Sequence, residues 1–180
     1  MEMIKNQKSK IKNCGFTLIE LIVALGVFMV VMTITLSAFL NIIDIQKKTE
    51  AFRKVNDNLN FAMEAIMREI REGKGYISAS CSGADFCFTN KEGKAIKYEL
   101  NAGGYIERKE ATGDWVRMTS DGIKITHLSF SVRGEATYAS GDRQQPLVTI
   151  SIGGESGEKE KLKSKLNLQA TVSQRKLDSQ

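Results

Sequence analysis

The sequence predicts an α+β protein, a long N-terminal helix whose outer half packs on an antiparallel β-sheet. Three observations carry that prediction. An apolar run over residues 14–43 passes without a break into a segment whose apolar residues recur at three- and four-residue steps. Short β-like runs alternate with turn signals over most of the remaining chain. The single proline is Pro146, so none interrupts the helical stretch upstream.

The basic N-terminus sets the frame. The chain has 180 residues, enough for one modest soluble domain beyond an anchor segment. Its net charge is +5, yet Lys5, Lys8, Lys10 and Lys12 against Glu2 account for +3 of it. The remaining +2 gives little support to nucleic-acid binding. A lysine-rich flank stays cytoplasmic, so it reads as a topology signal that sends the rest across the membrane.

Residues 1–15 form a short polar leader that ends in glycine. An ordinary secretory signal has an apolar core of about 7–15 residues followed by a small-residue cleavage site. Here the glycine precedes the apolar run, and the run is too long. Residues 16–43 are long enough, at ~1.5 Å per residue, to cross a ~30 Å hydrocarbon core. Gly26, Thr33, Thr35 and Ser37 are tolerable there, because hydroxyls bond back to the preceding turn. Glu20 is the misfit. A carboxylate in such a segment costs about 2.5–3.5 kcal/mol on insertion scales and calls for a partner. A plain uncleaved anchor explains the lysines and the apolar run but leaves Gly15 and Glu20 as accidents.

Over residues 44–74 the helix turns amphipathic. Asp44, Lys47, Lys48, Glu50 and Arg53 are polar, while Phe52, Val55, Leu59, Met63, Ile66 and Ile70 form one apolar stripe. Gly73 and Gly75 are plausible stops. A β-rich domain fills 75–180, with strands expected at 76–79, 86–89, 95–100, 104–109, 115–119, 123–132, 146–152 and 163–173. Asn101-Ala102-Gly103-Gly104 reads as a hairpin turn, and 153–161 as a polar, glycine-bearing loop.

Catalytic and metal-binding patterns are weak. His127, the single histidine, is expected to be a satisfied structural residue rather than a catalyst. No serine sits in a Gly-x-Ser-x-Gly elbow, and no phosphate-cradling glycine loop precedes a helix. Glu69, Glu72, Asp114, Asp121 and Asp142 read as solvated surface. Asp85 and the Asp142 loop do not resemble a spaced calcium loop. Cys81 and Cys87, in CSGADFC, can close a small disulfide loop if the domain faces an oxidising exterior; the alternative is a pair of free or semi-buried thiols. One histidine and one further cysteine, Cys14, do not complete a zinc set. No metal and no cofactor are expected.

The chemistry concentrates in Gly15-Phe16-Thr17-Leu18-Ile19-Glu20, continuing as Leu-Ile-Val-Ala-Leu. This stretch resembles the N-terminal cleavage and methylation motif of the type IV pilin and type II secretion pseudopilin family. The resemblance implies that a prepilin peptidase cuts between Gly15 and Phe16 and then N-methylates Phe16. It also implies a pilin-like fold, a place in the cytoplasmic (inner) membrane with the C-terminal domain outside, and other pilin or pseudopilin subunits as partners. The physical sense can be built independently. A cut before Phe16 frees a cationic amine four residues from Glu20. In a bundle, that amine can meet Glu20 of a neighbouring helix, pairing both charges and fixing the axial register.

Beyond the motif, FRKVNDNLNFAMEAIMREIREG and the ending LNLQATVSQR look like minor pilins or minor pseudopilins of the J or W type. Two departures from major pilins agree with that. No helix-kinking proline lies near residues 35–37, and the cysteine pair follows the helix instead of bracketing the C-terminal region. The expectation is a non-enzymatic structural subunit of a type IV pilus or a secretion pseudopilus. The alternatives are an unprocessed membrane-anchored binding or sensor domain, which would tolerate loss of Glu20, and a tethered hydrolase, for which no catalytic constellation is found.

Overall fold

The computed structural model describes residues 15–78, 81, 84–134, 144–157 and 159–175. The leader lysines, Cys14 and Asp142 lie outside them. Helix α1 runs Leu18–Glu72, followed by β1 (Lys74–Ile77), β2 (Phe86–Thr89), β3 (Ala95–Leu100), β4 (Ile106–Glu110), β5 (Val116–Arg117), β6 (Ile123–Arg133), β7 (Leu147–Ser156) and β8 (Ser164–Ser173). The chain divides into two compact units, Met1–Ile43 and Asp44–Gln180.

In the first unit the apolar helix packs against nothing among the described residues. Residues 15–42 are all exposed, and an 18-residue window of mean hydropathy 2.5 has none of its length buried. Its hydroxyls are satisfied within the helix: Thr33 Oγ1 donates to Met29 O at 2.9 Å and Thr35 Oγ1 to Val31 O at 2.8 Å. Back-bonded hydroxyls and continuous backbone bonding let such a helix sit in lipid without orphan polar groups. The length, the composition and the methylation motif together mark a membrane-anchored chain.

In the second unit the helix buries Ala51, Val55, Leu59, Ala62, Met63, Ile66 and Ile70 against antiparallel strands. This stripe is offset from the one read in the sequence. Ala51 and Ala62 belong to it, whereas Phe52 stays 46% exposed, one residue and so ~100° of helix rotation from Ala51. The strands form two sheets rather than one, a five-stranded β1-β2-β3-β4-β5 and a three-stranded β6-β7-β8. Among the described residues no ladder joins them. The seam is packing: Phe130 of β6 stacks on Phe86 of β2 at 4.4 Å between ring centroids, and Ile125 N–H donates to Gly104 O at 2.8 Å.

β7 runs on through Ser156, so the first part of the expected 153–161 loop is strand, with Gly153 and Gly154 inside it. Close packing explains the glycines. A Cβ on Gly154 would lie 3.3 Å from Leu59 Cδ2 and 3.4 Å from Ile125 Cδ1, so a bare backbone lets the helix approach the sheet. A turn predictor sees a Gly-Gly loop at the point where tertiary packing needs a strand without side chains. The Asn101–Gly104 reversal does form a hairpin between β3 and β4, closed by Asn101 N–H to Tyr105 O at 2.9 Å.

Side chains and strand ends complete the helix C-terminus. Tyr76 Oη donates to Ile70 O at 2.7 Å and to Gly73 O at 2.6 Å, and Arg175 N–H reaches Arg71 O at 2.8 Å. Gly73 N–H also bonds Ile70 O at 2.9 Å, so backbone and side chain together close the last turn, whose carbonyls lack partners further along the helix. Near the start of the amphipathic segment, Ser164 Oγ donates to Lys48 O at 3.1 Å and Lys161 pairs with Asp44 at 3.0 Å. The C-terminal strand is thus bonded to both ends of this helical segment.

Candidate processing and assembly site

Gly15, Phe16 and Thr17 precede the helix without regular structure and are exposed. The Gly15–Phe16 bond is thus open to solvent. The helix begins at Leu18, where Thr17 acts as its cap: its Oγ1 accepts the Glu20 N–H at 3.3 Å, and its carbonyl accepts the Leu21 N–H at 3.2 Å. Thr17 is therefore the N-cap and Glu20 the third helical residue, the Thr-x-x-Glu spacing of a capping box. A carboxylate in the first turn also faces the positive end of the helix dipole.

Attention to Glu20 as a charge hid Thr17. The signal was present, since Thr three residues before Glu at the start of an apolar run is a helix-start signature. In the single chain Glu20 is exposed, and none of the ion pairs among the described residues involves it. Its local help is thus the helix terminus, and any cationic partner has to come from elsewhere.

The other singled-out residues lie away from this site. Cys81 and Cys87 are bonded as a disulfide, with Cα atoms 6.1 Å apart. Asp85 between them spends Oδ2 on the Leu100 N–H at 2.8 Å, a structural bond. His127 is exposed on β6 just after a register shift, with Nε2 3.1 Å from Ser129 Oγ. Glu72 pairs with Lys91 at 3.1 Å and Asp121 with Arg117 at 2.6 Å.

Glu69 departs from the surface reading. It accepts the Tyr98 hydroxyl at 2.6 Å and Arg108 Nε at 3.0 Å to both oxygens. Arg108 and Lys94 then share Glu110, at 3.1 and 2.6 Å. Burial and the adjacent Glu69 carboxylate push the Tyr98 hydroxyl far above its ordinary pKa, so it remains a donor. This network pins the helix to β3 and β4. Among the described residues no group of three or more His, Cys, Asp or Glu could hold a metal ion.

Residues 10–36 match the family described as the prokaryotic N-terminal methylation motif. No curated protein and no solved structure matches the chain.

Proposed function

We propose that this chain, which carries the N-terminal methylation motif of the type IV pilin and pseudopilin family, is a minor filament subunit. Prepilin peptidase removes residues 1–15, and the new terminus at Phe16 is N-methylated. The subunit then leaves the inner membrane by bundling its apolar helix with those of other pilin-like subunits, in a type IV pilus or a type II secretion-like pseudopilus. The chain crosses the membrane once, with its N-terminus cytoplasmic and its β-rich domain outside. It works by packing and by presenting that domain; the motif points to a structural subunit rather than an enzyme.

One observation carries this reading. An exposed Gly15–Phe16 bond stands directly before a capped helix whose apolar surface is wholly unburied in the monomer. Such a surface needs lipid or other helices. Helix bundling also brings a foreign amine to Glu20, which removes the cost of a lone carboxylate among hydrocarbon.

The test is mass spectrometry of the N-terminus from cells that contain the peptidase. The expected N-terminal peptide begins at Phe16 and is heavier by one methyl group. Protein that begins at Met1 or Glu2 in such cells would end the proposal.

A further inference from the structure

We propose that the outer edge of β8 takes up an extended, uncharged segment of a different membrane-anchored subunit as an antiparallel fourth strand. Among the described residues β8 ends its sheet and pairs with β7 on one side only. An edge strand presents a row of N–H and C=O groups, which extended backbone pairs in full.

The cover over the core stops short at this edge. Val148, Ile150 and Ile152 of β7 are buried. Ala170 and Leu168, opposite Ile150 and Ile152, are only partly buried, as is Leu166 opposite Gly154. Phe52, itself half-exposed, stands level with Leu166. It lies one helical turn beyond Lys48, whose carbonyl accepts Ser164 Oγ, and Leu166 is two residues along from Ser164. Those steps are ~6 Å of helix and ~7 Å of strand.

The remaining sheet edges are guarded. β1 has four residues and a register shift, and β5 has two residues. β6 carries a register shift before His127 and gives its Ile125 N–H to Gly104 O at 2.8 Å. β8 has no such device. Its register with β7 is unbroken over ten residues, and it holds no proline and no charge from Leu166 to Ser173. Edges of this kind attract another strand. Charge selects which one: a neutral edge beside a half-covered apolar row accepts a segment that is itself uncharged, with apolar residues at alternate positions.

Direction excludes a second copy. β8 starts beside Lys48 and ends near Arg71, whose carbonyl accepts the Arg175 N–H, so it runs the same way as the helix. An antiparallel β8–β8 pair would oppose two helices that one membrane holds in the same direction. A parallel pair through the same edge would turn the two core faces to opposite sides. A different subunit fits when its segment runs against its own helix, as β7 does here.

The inference rests on the filament-subunit reading, and its test keeps the two apart. In cells that make the filament, full-length chain carries the photo-crosslinker p-benzoylphenylalanine in place of Asn167, Gln169 or Thr171, one at a time. Adducts are mapped by mass spectrometry. The expected result is capture of one other subunit, on one segment, at positions that step backwards as the probe steps forwards. Positions that step forwards or scatter over several segments would overturn the proposal. So would capture of a second copy, or of residues 176–180 of the same chain. Protein that begins at Phe16 and enters sheared filaments without capture removes the β8 site alone. Protein that keeps its leader and stays out of filaments removes the filament reading, and the β8 proposal with it.

Discussion

Thr17 and Glu20 share one turn of helix, and their two tasks can be separated by substitution. The cap needs an acceptor at Thr17 and tolerates Gln in place of Glu at the third position. Charge pairing with a neighbour needs the carboxylate itself. Glu20→Gln is therefore expected to keep helix content in membranes, by circular dichroism, while its entry into filaments, read from sheared fractions, falls sharply. Normal filament entry by that variant would remove charge pairing from the account. Thr17→Ala should instead cost about 1 kcal/mol of helix start and leave the charge in place. The cysteines offer a second residue-scale test. Cleavage after Gly15 would remove Cys14 with the leader and leave only Cys81 and Cys87. A thiol reagent should label none before reduction and both after it. Closing so short a loop is worth about 2–3 kcal/mol, and reduction should lower the thermal midpoint accordingly.

At the scale of elements, stability depends on how closely the helix lies on the two sheets. Leu59 is fully buried, and Gly154 faces it without a side chain. Leu59→Ala should cost about 2–5 kcal/mol through the cavity it leaves. Gly154→Val should cost about 1–3 kcal/mol by the opposite route, since its Cβ starts 3.3 Å from a leucine methyl and its further methyls have nowhere to go. Chemical denaturation in detergent, followed by Trp115 fluorescence, measures both. The ion network on β3 and β4 predicts a pH effect. Lys94, then Arg108, hold the Glu110 carboxyl below its usual range. A depressed carboxylate stabilises the fold above its unfolded pKa, and that contribution is lost as pH falls through the folded value. Lys94 is raised, first by Glu110 and then by Glu92, so its share is lost only in strongly alkaline solution. The thermal midpoint should be flat near neutrality and fall below about pH 4.3. Glu110→Gln should show a shallower acid limb; an identical limb would remove Glu110 from the explanation.

At the scale of the molecule, two solvents meet one continuous helix. Its first part exposes apolar surface along its whole length, and its second buries a stripe under strands. The helix, the order of the strands and most strand centres were legible, because periods of 3.6 and 2 are local properties of the chain. The bounds of β2 and β3 match short β-like runs set between turn signals. Phe52 was misread because apolar character at the edge of a helical stripe does not say which side meets the sheet. Gly153 and Gly154 were misread because turn chemistry and close packing call for the same residue.

The sequence by itself determined the long apolar helical run and the alternation of strands, since each depends on residues near one another along the chain. Only the tertiary structure decided that the strands split into two sheets across the Phe86–Phe130 stack, that Glu69 is held by Tyr98 and Arg108, and that β8 pairs with β7 at the edge of its sheet. Those contacts join residues far apart in the chain, and hydrophobic periodicity carries no information about which distant surfaces will meet.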